Sequence, residues 1–139
     1  MQEAFGISDE SAFKAASGLH GGIGGKGDVC GSLMGASLML GLMSGRSIAA
    51  SGKLKEHPNP AEDAPTRLVG ELYQWFKKEF GAVKCRIIRG KHEKEVDAAR
   101  DARGLTEEER MQRIHARCDE LCGKTAARAA EMLLEALKK

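Results

Sequence analysis

Four cysteines, Cys30, Cys85, Cys118 and Cys122, carry most of the chemistry available to this sequence. Cys30 stands in Gly27-Asp28-Val29-Cys30-Gly31-Ser32-Leu33-Met34-Gly35-Ala36, at the seam between a glycine-rich loop and an apolar segment. If that segment is a helix, its free N–H groups and the positive end of its dipole stabilise a thiolate. They would lower the thiol pKa from about 8.5. Gly24, Gly25, Gly27 and Gly31 let main-chain amides approach a sulfur, a cluster sulfide or an anion without a Cβ in the way. The position suits a reactive thiol or an iron–sulfur ligand. It suits equally a buried cysteine acting as a small hydrophobe.

Cys118 and Cys122 are four residues apart, which on a helix brings their side chains to roughly 5–6 Å. That pair suits one metal or cluster, whereas a disulfide between them would distort the helix. His115 extends the strip to His115-x-x-Cys118-x-x-x-Cys122. The same strip is the apolar face, so core packing is the competing reading for His115 and Cys122. Zinc ribbons and ferredoxins bring cysteines in close pairs or runs, and these spacings match neither. A four-cysteine site here must be assembled by the fold. The glycine loop Gly18-x-x-Gly21-Gly22-x-Gly24-Gly25-Lys26 fits neither the P-loop spacing nor a strand-led dinucleotide fingerprint. His20, His57 and His92 read as loop residues, His20 beside the glycine loop. No carboxylate pair or Ser/His/Asp set supports hydrolysis.

Composition narrows the field. The chain has 139 residues, enough for one domain with a core and too few for two. A formal charge of +2, with acids interleaved among the bases, gives no footprint for nucleic acid. No signal-peptide pattern opens the sequence, and the most apolar stretch, Leu33 to Met43, is too short and glycine-interrupted to span a bilayer. The expectation is a cytoplasmic protein, where cysteines stay reduced and four of them favour metal binding or redox work over a disulfide framework.

The elements that must position these thiols are helices. Ser8-Asp9-Glu10 reads as a helix start with Ser8 as N-cap, and Gly18 as its stop. Seven glycines crowd residues 18 to 31. A central helix is expected from about Cys30 to Ala50, with Gly31/Gly35 and Gly41/Gly45 spaced for close approach of a neighbouring helix. Residues 52 to 65 hold all three prolines and read as a linker. A third helix spans about Thr66 to Phe80, with an apolar stripe at Val69, Leu72, Tyr73, Phe76 and Phe80. Ala82 to Ile88 reads as a short connector carrying Cys85, and residues 89 to 104 as an exposed, charged stretch. Thr106-Glu107-Glu108-Glu109 is a capping box, opening a long helix to about Leu137. No strand pattern and no repeat is present. The fold class is all-α: one small helical bundle, residues 1–139, with a glycine-rich loop leading into a central apolar helix.

Several stretches together resemble a known family, the redox-active proteins named for the cysteine pattern C, GCAxxG, C, C. They are Ala15-Ala16-Ser17-Gly18-Leu19-His20-Gly21-Gly22-Ile23-Gly24, the Gly27–Ala36 run, Leu40-Gly41-Leu42, Phe76-Lys77-Lys78-Glu79-Phe80-Gly81-Ala82-Val83-Lys84-Cys85-Arg86, and Cys118. The resemblance implies a small helical redox protein whose cysteines hold an iron–sulfur cluster or cycle between thiol and disulfide. Cys30, Cys85 and Cys118 match the last three family cysteines. No cysteine of this sequence precedes Cys30, and Val29 before Cys30 with Gly31-Ser32 after it departs from Gly-Cys-Ala. Cys122 is the candidate for a fourth thiolate.

Three functions follow as expectations. The first is an electron-transfer module with a cluster on Cys30, Cys85, Cys118 and Cys122, the glycine loop offering amides to its sulfurs. The second is a metal-free thiol oxidoreductase with Cys30 as the low-pKa thiol and Cys85 or Cys118 as resolving partner. The third is a structural or assembly module, with or without zinc. A redox partner protein is expected, and no nucleic acid or membrane. Leu- and Met-rich helices in a short chain also make a homodimer an expectation.

Overall fold

The computed structural model describes residues 6–45, 64–99 and 103–138. Its elements are α1 (Glu10–Ala16), a 3-10 turn (Ser17–Leu19), α2 (Gly31–Ser44), α3 (Ala64–Phe80), α4 (Cys85–Asp97) and α5 (Glu107–Leu137). The chain is all-α. Among the described residues the extended pairing is one isolated antiparallel bridge, Val29 with Lys84.

The apolar α2 is central, packed against α3 and α5. It contributes Leu33, Ala36, Met39 and Leu40 to a core completed by Leu68, Leu72 and Phe76 of α3, Ile88 of α4, and Leu121, Ala129, Met132 and Leu133 of α5. The 3.6-residue periodicity of α3 and α5 dictates this, because each turns one apolar stripe inward. Thr125 is fully buried and satisfies its hydroxyl by donating to the Leu121 carbonyl at 2.8 Å. At the end of α3, Phe80 packs edge-on against Trp75 and Phe76, and Gly81 turns the chain at φ +71° toward Cys85. No helix among the described residues is long and apolar enough to cross a membrane.

The capping box is formed: Thr106 Oγ1 accepts from the Glu109 amide, and the Glu109 carboxylate accepts from the Thr106 amide at 2.8 Å. Elsewhere the boundaries move. Asp9, not Ser8, caps α1, its carboxylate accepting from the Ala12 amide at 2.9 Å. Helix α1 stops at Ala16, ahead of Gly18, and the chain tightens into the 3-10 turn. Helix α2 begins one residue after Cys30 and ends at Ser44; the part of the expected helix beyond Gly45, and the linker up to residue 63, lie outside the described residues.

The largest correction concerns the segment read as a connector and charged stretch. Cys85 opens a helix of 13 residues, α4. The many charges hid it, yet Ile88 and Val96 are buried and its charged residues lie on the outer faces. The small-residue argument for α2 also fails: a Cβ on Gly35 or Gly41 would meet nothing within 4 Å. Gly31 does sit against backbone, but that of the glycine loop, where its Cβ would lie 2.8 Å from the Leu19 carbonyl oxygen.

Candidate redox centre

The glycine loop winds back on itself through hydrogen bonds from Gly24, Gly25, Gly27 and Asp28 amides to the carbonyls of Gly18, His20, Gly21 and Gly22. Gly21, Gly22, Gly24, Gly25 and Gly27 all take positive φ, and Ile23 is held there too, at +58°. L-residues pay steric energy in that region, which is why glycine dominates the loop.

The loop's exit then pairs with the chain leaving α3. Cys30 donates its amide to the Val83 carbonyl (2.8 Å), Cys85 to Asp28 (2.7 Å) and Arg86 to Gly27 (3.0 Å). With Val29 opposite Lys84, side-chain alternation puts Cys30 and Cys85 on the other face of this short ladder, as diagonal neighbours. Each cysteine also starts a helix: Cys30 is the N-cap of α2, and Cys85 the first residue of α4. Two helix N-termini, from residues 55 apart in sequence, therefore meet at one place.

Gly22 makes this closure sterically feasible. A Cβ there would lie 2.8 Å from the Cys85 Cβ and 2.7 Å from the Asp28 amide nitrogen and carbonyl oxygen. A Cβ on Gly27 would likewise strike the Arg86 Cβ at 2.8 Å. By contrast Gly24 and Gly25 face open space, so their role is conformational.

Helix α5 brings the other two thiols. Cys118 is half-buried and Cys122 exposed. Cys118 feels the charges of Cys85, Cys122 and Cys30, and Cys30 those of Cys85 and Cys122, so all four thiols share one neighbourhood. Burial pushes the Cys30 thiol up, and the amides of Ser32 and Leu33 only partly oppose it. The expected low-pKa Cys30 is thus overturned: desolvation at the N-cap outweighs the helix terminus. The Cys118 thiol is raised as well, by burial first and then by its sister thiols.

One residue of this neighbourhood was read from the sequence as part of a loop. His92 lies on α4, and its Nδ1 is 3.6 Å from Cys118 Sγ. Burial holds the imidazole below its ordinary pKa, with Glu95 opposing and Arg117 adding to the shift. His92 is seven residues after Cys85, two turns along one helix face; that spacing would have exposed the relation had α4 been recognised. His115, the histidine expected in the ligand strip, is exposed, while its neighbour Ile114 takes the fully buried place.

A polar cleft of about 320 Å³ lies beside His92, lined by Lys91, Glu95, Arg117, Glu120 and Lys124 among others. On another side an apolar groove of about 790 Å³ runs between α1, α2 and α5, past Phe13, Gly35, Leu38 and Cys122. Among the described residues no three His, Cys, Asp or Glu side chains close on a point that one metal ion could fill.

A family model described as "Putative redox-active protein (C_GCAxxG_C_C)" matches residues 1–132. No curated protein and no solved structure matches the chain. With nearly its whole length covered by that match, the chain belongs to this C_GCAxxG_C_C family of redox-active proteins.

Proposed function

We propose that the protein is an electron-transfer module whose iron–sulfur cluster is held by Cys30, Cys85 and Cys118. The observation that carries this reading is the ladder joining residues 27–30 to 83–86, which sets Cys30 and Cys85 on one face at two helix N-termini with Cys118 close by. Cys30 and Cys85 are free thiols, not bridged to one another.

The donor chemistry agrees. Thiolates are the ligands iron–sulfur clusters take. A cluster contains several metals, so its ligands need not converge on one point; a lone zinc would need that convergence. When bound, the cluster would store and release one electron. The chain's own residues would do the rest. The Ser32 and Leu33 amides at the start of α2 face the Cys30 sulfur and favour its negative charge when ligated. The apolar core beneath α2 limits water on the inner side. Electrons would be exchanged with a redox partner protein.

The test is an ultraviolet–visible spectrum of protein purified without oxygen, with iron, sulfide and zinc determined on the same sample. Visible absorption with matching iron and sulfide is expected. A colourless protein free of iron and sulfide overturns the reading.

A further inference from the structure

A cluster is held by four protein donors, cysteines in most cases and histidine at some sites. Cys30, Cys85 and Cys118 supply three. Two side chains next to these are able to supply the fourth: Cys122, one turn further along α5, and His92, across from Cys118 on α4. The geometry points to His92 as a ligand of the same iron as Cys118, in a two-iron cluster whose other iron Cys30 and Cys85 would hold. This inference rests on the cluster reading above.

Three observations carry it. First, the contact has the length of a coordination edge. Two donors on one tetrahedral metal, with metal–sulfur about 2.3 Å and metal–nitrogen about 2.0–2.1 Å, lie roughly 3.5–3.6 Å apart. His92 Nδ1 and Cys118 Sγ are 3.6 Å apart. Second, His92 is half-buried, whereas Cys122 is exposed and lines the apolar groove against α1 and α2. Third, metal-bound imidazoles commonly give their second ring N–H to a carboxylate. The cleft beside His92 holds two, Glu95 and Glu120. Arg117 and Lys124 pair with them at 2.8 and 3.1 Å.

The register that makes this edge is built by the fold. Helices α4 and α5 run antiparallel, with Asp97 on Arg110, Glu95 on Arg117 and His92 on Cys118. Ile88 and Val96 on α4, with Ile114 and Leu121 on α5, are buried. The Cys118–His92 pair therefore sits on the packed seam between the two helices.

The experiment uses the full chain, purified without oxygen, with the cluster reduced and pulsed electron paramagnetic resonance recorded. Samples carry histidine at natural abundance or labelled with nitrogen-15. Expected is a strongly coupled nitrogen whose hyperfine splitting follows the isotope. His92→Ala should lose that coupling and several-fold of its iron, Cys122→Ser should keep both, and His92→Cys should regain iron and sulfide with the coupling gone. A loaded wild-type cluster without isotope-dependent nitrogen, or a Cys122→Ser variant that loses the cluster while His92→Ala keeps it, overturns the ligand assignment alone. Wild-type protein without iron and sulfide overturns the cluster reading and this inference with it.

Discussion

The carboxylate of Asp97 accepts two parallel hydrogen bonds from the guanidinium of Arg110, at 2.7 and 2.9 Å. The fork ties the last turn of α4 to the first turn of α5 across 13 residues of chain. Together with Glu95–Arg117 it sets the axial register that places His92 against Cys118. Bidentate pairs hold geometry better than single contacts do.

The pH dependence of this clasp has a definite sign. Its hydrogen bond to Arg110 holds the Asp97 carboxyl below its ordinary pKa. Its contribution is therefore present above the unfolded carboxylate value and is lost as pH falls through the lowered folded value. Thermal melts of Asp97→Asn and wild type should differ at pH 7 and converge as pH falls below the ordinary carboxylate range. Curves that stay parallel through the acid range would show that the clasp contributes nothing.

Gly22 and Gly24 should separate steric need from conformational need. Both have positive φ, but only Gly22 is in tight contact. Gly24→Ala should cost about 1–2 kcal/mol from left-handed strain. Gly22→Ala carries the same strain plus a clash with Asp28 and Cys85, adding about 1–3 kcal/mol of overpacking. Denaturant melts measure both, and iron loading should fall with Gly22→Ala and hold with Gly24→Ala. Equal losses would mean the loop does not seat Cys85 through Gly22.

Cys30→Ser should remove most of the iron and the visible absorption while leaving far-ultraviolet helicity intact, because Cys30 is an N-cap and serine caps helices well. Full cofactor loading in this variant would mean that Cys30 is not part of the centre.

Thiol reactivity in the reduced, metal-free protein tests the electrostatics directly. Burial raises both Cys30 and Cys118, so each stays a neutral thiol at pH 7 and becomes nucleophilic only above the ordinary thiol range. Mass-mapped alkylation at pH 7 should label exposed Cys122 first and Cys30 and Cys118 slowly. Fast labelling of Cys30 would reinstate a thiolate at the α2 N-terminus.

Leu40→Ala probes what holds the platform together. Leu40 is fully buried on α2, in the core that α2 shares with α3 and α5. The cavity should cost about 2–5 kcal/mol in denaturant melts. A loss under about 1 kcal/mol would place the core elsewhere.

What the sequence determined by itself is local. The capping box at Thr106 and Glu109, the inward Leu72 and Phe76 of α3, and the glycine-rich entry to α2 follow from side chains within a turn or two of each other, where spacing alone sets which groups meet. Tyr73, expected in the same stripe, is exposed, and Leu68 is buried in its stead. The family pattern was legible for the same reason, in contiguous runs around Cys30 and Cys85. Tertiary structure decided the rest. The Val29–Lys84 bridge spans 55 residues and has no periodic signature, so nothing near Cys85 announced that it begins a helix. Burial, a property of the packed molecule, reversed the expected direction for Cys30. The 26 residues between His92 and Cys118 become 3.6 Å only when α4 and α5 pack antiparallel, a non-local register set by Ile88, Val96 and the Asp97–Arg110 fork.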